Sequence, residues 1–359
     1  MRDPITVLPA DLDSLPDRPA VFVVWAAEGK PYLARTTLLR RRLKRLLSER
    51  DRVSRVLNLR GVVERIEYWP TGSQIEATLI HLELAQRHFP DDWPRLTRLR
   101  PPVFLRLTVD NPFPRTMITS RFGKGLFYGP FGSRAAAERF DAAMLDLFQL
   151  RRCEENLAPS PEHPGCIYGE MNRCLRPCQQ AVSIDEYRGE SSRVEQFLRT
   201  GGASLIDSAE VARDHASKDM QFEEAARLHQ RVERIQGVQA LSGDLARTAD
   251  QTNGIAVVPS AEPETVDLWF MLGGSWQPRR PLSISEGAGQ SMDRRLREML
   301  GSLEAPGPPH PEHLSILLRW HGSSWRDGEW IPFDSLEKIP YRKLVNAIGR
   351  VHAQSRTSG

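Results

Sequence analysis

The sequence predicts an α+β fold spread over two or three small domains, and three observations carry that prediction. The chain has 359 residues, more than the ~100–200 residues of one ordinary domain. With 40% apolar and 26% charged residues it can bury real cores. Short apolar runs of strand length alternate with segments whose leucines recur at helical spacing. All four cysteines fall between Cys153 and Cys178, a concentration that points to one chemical site.

Other classes are excluded or set aside. No run approaches the ~18 apolar residues of a membrane helix. Residues 1–4 (Met-Arg-Asp-Pro) open no apolar secretory segment, so a cytoplasmic protein is expected. The net charge of +3 says little about partners. The basic residues are 43 arginines against six lysines. A GC-rich genome accounts for most of that bias, yet it supplies many planar forks suited to phosphate.

The elements follow in order. Residues 1–19 read as a polar, Pro-rich lead-in, and Pro19 to Ala27 as a buried strand. Glu28-Gly29-Lys30 is a turn, because glycine adopts positive φ without strain. Tyr32-Leu33-Ala34 is the returning strand. Thr36 or Thr37 caps a helix to about Glu49, with Leu39, Leu43, Leu46 and Leu47 on its apolar face. Arg65 to Trp69 is a strand and Ser73 to Phe89 a helix. Pro90 to Pro102 is a break. Val103 to Val109 is a strand, Arg115 to Phe127 a hairpin, and residues 129–132 a turn before a helix capped by Ser133. A helix runs from about Ile184 to Arg199, and residues 206–241 form a helical hairpin. Strands at Gly254–Val258 and Val266–Leu272, a Pro-rich linker at 301–311 and a helix from about Tyr341 complete the chain.

The order strand, turn, strand, basic helix, strand, helix is similar to that of the GIY-YIG nuclease domain. Residues 19–43 (PAVFVVWAAEGKPYLARTTLLRRRL) resemble the start of the UvrC family, the incision subunit of bacterial nucleotide excision repair. The GIY element falls on Ala20-Val21-Phe22 and the YIG element on Tyr32-Leu33-Ala34. The family's helix arginine falls on Arg42, and the basic residue after YIG on Arg35. The metal-binding glutamate falls on His81 and the closing asparagine on Trp93.

These matches imply that Tyr32 orients or deprotonates water, Arg42 stabilises the phosphate, and His81 holds a divalent metal, Mg²⁺ or Mn²⁺. The departures weaken that chemistry. A neutral imidazole suits Zn²⁺ or Mn²⁺ better than Mg²⁺, and Phe22 has no hydroxyl to orient water. Glu76 and Glu83 lie on other faces of the same helix. The expectation is therefore twofold: 3′-side incision by a rewired site, or a silent fold kept as a binding platform. Ten basic residues from Arg35 to Arg60 stand against Glu49 and Asp51. Arg40, Arg41, Lys44 and Arg45 are the candidates for phosphate contact, the alternative being a solvated helix face.

The cysteines are spaced Cys153-x12-Cys166-x7-Cys174-x3-Cys178, with no Cys-x2-Cys pair, which disfavours a zinc ribbon. Four thiolates suit a [4Fe–4S] cluster or zinc, with His163 a competing zinc ligand and four unliganded thiols the remaining alternative. Residues 126–188 resemble UvrC closely, and the resemblance implies that all four cysteines hold an iron–sulfur cluster. Arg151, Arg152, Arg173 and Arg176 would surround it and could meet DNA phosphates.

Ala216-x3-Met220-x-Phe222-Glu223-x-Ala225-Ala226-x-Leu228 is a hairpin with small residues for close helix approach. Residues 207–238 resemble the UVR motif, which implies docking to UvrB through Met220, Phe222, Glu223, Ala226 and Leu228. Packing on its own chain is the alternative. Residues 252–276 resemble the opening strands of the RNase H-like half of UvrC. Residues 250–359 read as a truncated or remodelled α/β remnant of it, whose tryptophans pack a core.

The expected domains are 1–95, GIY-YIG-like; 96–200, Cys-rich; 201–242, the UVR hairpin; and 250–359, the C-terminal segment. The expected function is a UvrC-like or Cho-like repair protein that binds DNA and UvrB. The alternatives are a catalytically inactive adaptor and a redox-responsive DNA-binding regulator.

Overall fold

The computed structural model describes residues 2–48, 59–284 and 292–357. Glu49, Arg50, Asp51, Arg52 and Arg55 of the basic stretch lie outside them. The chain forms two compact units. The first joins residues up to 100 with 253–306 and 319–359, and the second holds 101–252 with 307–318.

In the first unit, β1 (Ile5–Val7), β2 (Ala20–Ala26), β3 (Tyr32–Thr36) and β4 (Val63–Pro70) form an antiparallel sheet in the order β1-β4-β2-β3. Helix α1 (Leu39–Leu47) and helix α2 (Gln74–His88) cover its two faces. The period-2 alternation of β2 explains this arrangement. Phe22 and Val24 point to Leu39 and Leu43 of α1, while Val21 and Val23 point to Ile80 and Leu84 of α2. Gly29 sits at φ +92° in the β2–β3 turn, as its sequence position required.

The polar lead-in corrects the sequence reading. Ile5–Val7 pairs with β4 as an edge strand, Ile5 opposite Tyr68 and Val7 opposite Ile66. Three residues are too few to show a period, so no local signal marked them. The break after Pro90 holds a short helix, α3 (Trp93–Thr97), whose Trp93 packs on the α2 side of the sheet.

The second unit opens with β5 (Val103–Leu107), β6 (Thr116–Thr119) and β7 (Leu126–Phe131). The expected 115–127 hairpin is not formed. β6 and β7 both pair with β5, on opposite sides. The hairpin is β5–β6, closed by Thr108, whose hydroxyl accepts from the Arg115 amide at 2.9 Å and donates to its carbonyl at 3.1 Å. The expected turn at 129–132 is also corrected, because Gly129 to Phe131 continue β7. The register against β5 shifts there, so Pro130 has no ladder bond to lose.

Helices α4 (Arg134–Leu145), α5 (Ile167–Glu170), α6 (Ile184–Arg199), α7 (Ala203–Lys218) and α8 (Phe222–Ala240) follow, and β8 (Arg247–Thr248) pairs with β7. Ser133 caps α4, and Ser183 with Glu186 forms a capping box on α6. The hairpin α7–α8 is not separate from the Cys-rich region. Ala209, Val232, Ile235 and Val238 share one core with Leu105, Phe140, Tyr187 and Phe197.

Of the segment read as a remnant, residues 253–306 and 319–359 fold within the first unit. β9 (Gly254–Pro259), β10 (Thr265–Leu272), β11 (Ser275–Trp276), β12 (Arg280–Ser283) and β13 (Glu329–Pro332) form a five-stranded antiparallel sheet. Helices α9 (Met292–Gly301) and α11 (Tyr341–Thr357) accompany it, and α10 (Pro311–His321) begins among the residues of the second unit. Its core is Ile255, Val257, Leu268, Phe270, Leu344 and Ile348. Trp269, Trp276 and Trp320 are buried and Trp325 is exposed. Gly72, just before α2, lies against the chain after β9: a Cβ there would meet the Ser260 carbonyl carbon at 2.2 Å. Only glycine permits that approach. Among the described residues no helix is long and apolar enough to cross a membrane.

Candidate nucleic-acid interface

In α1, Leu39, Leu43 and Leu46 are buried, so the arginines between them face outward. Arg42 reaches back to the sheet, its Nη2 donating to the Tyr32 hydroxyl at 3.0 Å. Arg35 leaves the end of β3 and donates to Thr78 Oγ1 at 2.8 Å. Burial and the nearby Arg319 lower the Arg35 pKa, but a guanidinium stays charged. Arg35, Arg42 and Arg45 line a cleft of about 500 Å³, with Ser73 and Gln74 at the N-terminus of α2 opposite them. Such a helix end favours an anion.

A carboxylate already sits in that seat. Asp327 Oδ2 accepts from the Gln74 amide at 2.6 Å, and its Oδ1 accepts from Trp320 Nε1 at 2.9 Å. Asp327 also lines the cleft. Nothing in the local sequence marked it, because it approaches α2 from some 250 residues away.

The remaining expected residues are placed as follows. Phe22 is fully buried in the α1 core, its ring 6.1 Å from that of Tyr32. Arg40 and Lys44 face Asp13, with which Lys44 pairs. Arg41 is exposed, and its amide donates to Asp17. The cleft that takes Arg42 takes neither Tyr32 nor His81. From α2 the cleft takes Gln74 and Ala77, one turn short of His81. His81 is 7% exposed, and burial with the charge of Arg35 lowers its pKa to about 4.

The two α2 glutamates are engaged elsewhere. Glu83 pairs with Arg87 at 2.9 Å. Glu76 is buried, accepts from the Gly72 amide at 2.8 Å and pairs with Arg2. It belongs to a network with Arg279, which donates to both oxygens of the fully buried Asp267 at 2.9 and 3.0 Å and to Glu262 at 2.7 Å.

In the second unit no disulfide joins the cysteines. Cys174 and Cys178 are buried, Cys153 is half-buried and Cys166 exposed. Burial, helped by the other thiols, pushes Cys174 up to about 11 and raises Cys178. Among the described residues no three His, Cys, Asp or Glu side chains form a ready-made metal-holding group. The surroundings nonetheless suit an anionic sulfur centre. Asn172, Arg176 and Gln180 all have positive φ and bracket Cys174 and Cys178. The Arg176 amide points at Cys174 Sγ, 3.4 Å away.

Arg151 corrects the expectation that it meets DNA. It is 1% exposed. Its Nε donates to the Phe113 carbonyl at 2.9 Å, and its Nη1 to the carbonyls of Cys153 and Glu155 at 3.2 and 2.8 Å. The same Nη1 lies 3.5 Å from Cys153 Sγ. Among the described residues it has no carboxylate partner. A buried guanidinium beside Cys153 is a counter-charge of the kind thiolate ligation calls for. Arg152 and Arg173 both pair with Asp146, at 2.7 and 3.0 Å. His163 accepts at Nδ1 from the Gly165 amide, which takes that nitrogen from a competing zinc role.

At the tip of the α7–α8 hairpin Met220 is 75% and Phe222 70% exposed. Glu223 and Ala226 are exposed beside them. Leu228 turns inward and is buried, which withdraws it from the expected docking face. At every fourth position or so along α8 its apolar residues point to the core, and Leu228 is the first of that stripe.

Comparison with known proteins fits this arrangement. Residues 103–199 match the UvrC/Cho excinuclease middle domain. The UvrABC system protein C of Lachnospira eligens is 25% identical over 86% of this chain and 51% of its own length. Those of Caulobacter vibrioides and Rickettsia prowazekii are 24% identical over 75% and 42%, and 29% identical over 61% and 35%, of the two chains respectively. The chain thus spans about half the length, or less, of the curated relatives it matches. No solved structure matches it. With residues 103–199 matching the UvrC/Cho middle domain and UvrC relatives aligned along most of its length, the chain is similar to UvrC proteins.

Proposed function

We propose that this protein acts in nucleotide excision repair by binding DNA through the first-unit cleft and UvrB through the exposed tip of the α7–α8 hairpin, without metal-dependent incision at the cleft. The observation that carries the reading is the convergence of Arg35, Arg42 and Arg45 on a helix N-terminus whose anion seat holds Asp327. A carboxylate there stands in for phosphate oxygens, which seek the same amide and the same positive field. Cleavage with Mg²⁺ needs several oxygen ligands and an open water position. Asp327 is the one carboxylate among the cleft's lining residues, and both its oxygens accept hydrogen bonds from the protein. His81 offers one buried nitrogen outside the cleft.

The four cysteines are proposed to hold a [4Fe–4S] cluster, zinc being the other metal their thiols suit. Such a cluster supplies a compact anionic centre that fixes the loop. Arg151 offsets its charge, and the Arg176 amide donates to one sulfur.

The test is a binding and incision assay on a lesion-bearing duplex with purified UvrB and Mg²⁺ or Mn²⁺. Arg35→Gln/Arg42→Gln is expected to weaken DNA binding at least tenfold and to lower the salt slope by about two. No incision should appear in wild type. Incision that is lost in Arg42→Ala overturns the binding-only reading. Asp327→Asn is expected to raise DNA affinity several-fold at low salt, because it removes a negative charge from the phosphate seat. Unchanged affinity in that variant removes Asp327 from the seat.

A further inference from the structure

We propose that helix α8 carries a second DNA contact, a groove in the second unit that takes the phosphodiester backbone. This extends the DNA-binding reading above. The groove has a volume of about 280 Å³ and is lined by Arg227, Arg231 and Arg234 with Asp146. The three arginines stand at i, i+4 and i+7, so they share one face. They span about 10 Å of helix axis, the axial rise of about three base pairs of duplex at ~3.4 Å each.

The charges are not cancelled internally. Arg152 and Arg173 both donate to Asp146 Oδ1, so that carboxylate is already taken twice. Arg227 is held in a two-pronged pair with Glu224, at 2.9 and 2.6 Å. Among the described residues Arg231 and Arg234 have neither a hydrogen bond nor an ion pair. Over the groove and its ion-pair partners, five guanidinium groups face two carboxylates. A planar fork matches the two free oxygens of a phosphate. A row of such forks at regular rise fits a polyanion with one charge per step better than an acidic peptide of irregular charge spacing. The exposed apolar tip at Met220 and Phe222 opens the same helix, about one and a half turns before Arg227, and Arg231 and Arg234 lie further along it.

The experiment measures duplex binding by the full chain, by fluorescence anisotropy from about 50 to 200 mM salt. Arg231→Gln/Arg234→Gln is expected to lose affinity several-fold and to lower the salt slope by about two, whatever the duplex sequence. Arg231→Lys/Arg234→Lys should keep most of the slope, and equal loss in this charge-conserving pair overturns the proposal. The cleft variant Arg35→Gln/Arg42→Gln runs in parallel. If it weakens binding while the α8 variant binds as wild type, the groove is overturned and the cleft reading stands. If neither changes binding, both fall. Loss of poly-glutamate binding with duplex binding intact also overturns the proposal, in favour of an acidic protein ligand. Circular dichroism identical to wild type shows that the variants are folded.

Discussion

Replacing Arg279 by methionine is expected to destabilise the first unit by about 3–5 kcal/mol, as when one partner of a buried ion pair is removed. The reason is geometric. Asp267 lies on β10 with no exposed surface, and Arg279 supplies hydrogen bonds to both its oxygens. The same guanidinium serves Glu262 and stands 4.0 Å from Glu76. Without it, buried carboxylates are left to Arg2 alone. A double variant, Arg279→Met/Asp267→Leu, should recover much of the loss, since paired removal leaves no unpaired charge. Chemical denaturation followed by fluorescence measures both. A single variant within 1 kcal/mol of wild type would show that the network contributes little.

The same network sets a pH dependence. Burial, with Glu76 nearby, raises the Asp267 pKa from 3.8 to about 7, against the pull of Arg279. Below about pH 7 the folded protein binds a proton that the unfolded chain does not bind until about pH 4. Stability from this group therefore rises as the pH falls through that window. His81 works the other way. Its pKa is about 4 when folded and 6.5 otherwise, so stability falls as the unfolded chain protonates below pH 6.5. Asp267→Asn should thus make the protein lose stability more steeply on acidification than wild type. The Arg279→Met defect should shrink from pH 8 to pH 5, because a protonated Asp267 no longer needs its partner.

These residues also show where sequence reading stops. The β2–β3 turn, the leucine face of α1, the Ser133 cap and the α7–α8 hairpin were legible, because each signal is local. The partner of β5 was not, since alternation says which face is buried and not which strand lies alongside. The Arg2–Glu76–Asp267–Arg279 network joins residues up to 277 positions apart, and no local pattern encodes it. Asp327 reached the cleft from equally far. Composition misled on Arg151, because arginines are seldom fully buried. The four cysteines were read as one site from their spacing and from the resemblance to UvrC, and the backbone turn that aims the Arg176 amide at Cys174 could not be.

Arg151→Met is expected to separate the metal-loaded protein from the free one. In the free protein the substitution removes a buried charge that has no carboxylate partner among the described residues, but it strips donors from the carbonyls of Phe113, Cys153 and Glu155. Those terms oppose, so a loss of about 1–2 kcal/mol is expected. The Arg151 amide still donates to the Tyr187 hydroxyl, which donates on to the Pro114 carbonyl, so the surrounding core keeps its own bonds. With an iron–sulfur cluster on the four thiolates, the guanidinium becomes the nearest counter-charge to Cys153. Its removal then leaves an uncompensated buried anion, at a cost of about 3–5 kcal/mol. Anaerobic reconstitution followed by visible absorbance should give much lower cluster occupancy in Arg151→Met than in wild type. Thermal unfolding of the metal-free forms should differ far less. Arg151→Lys should not restore occupancy, because an ammonium cannot reach the three carbonyls and the sulfur from one plane. Equal cluster absorbance in Arg151→Met and wild type would mean that the buried guanidinium answers the carbonyls of its own loop and not the charge on the cysteines.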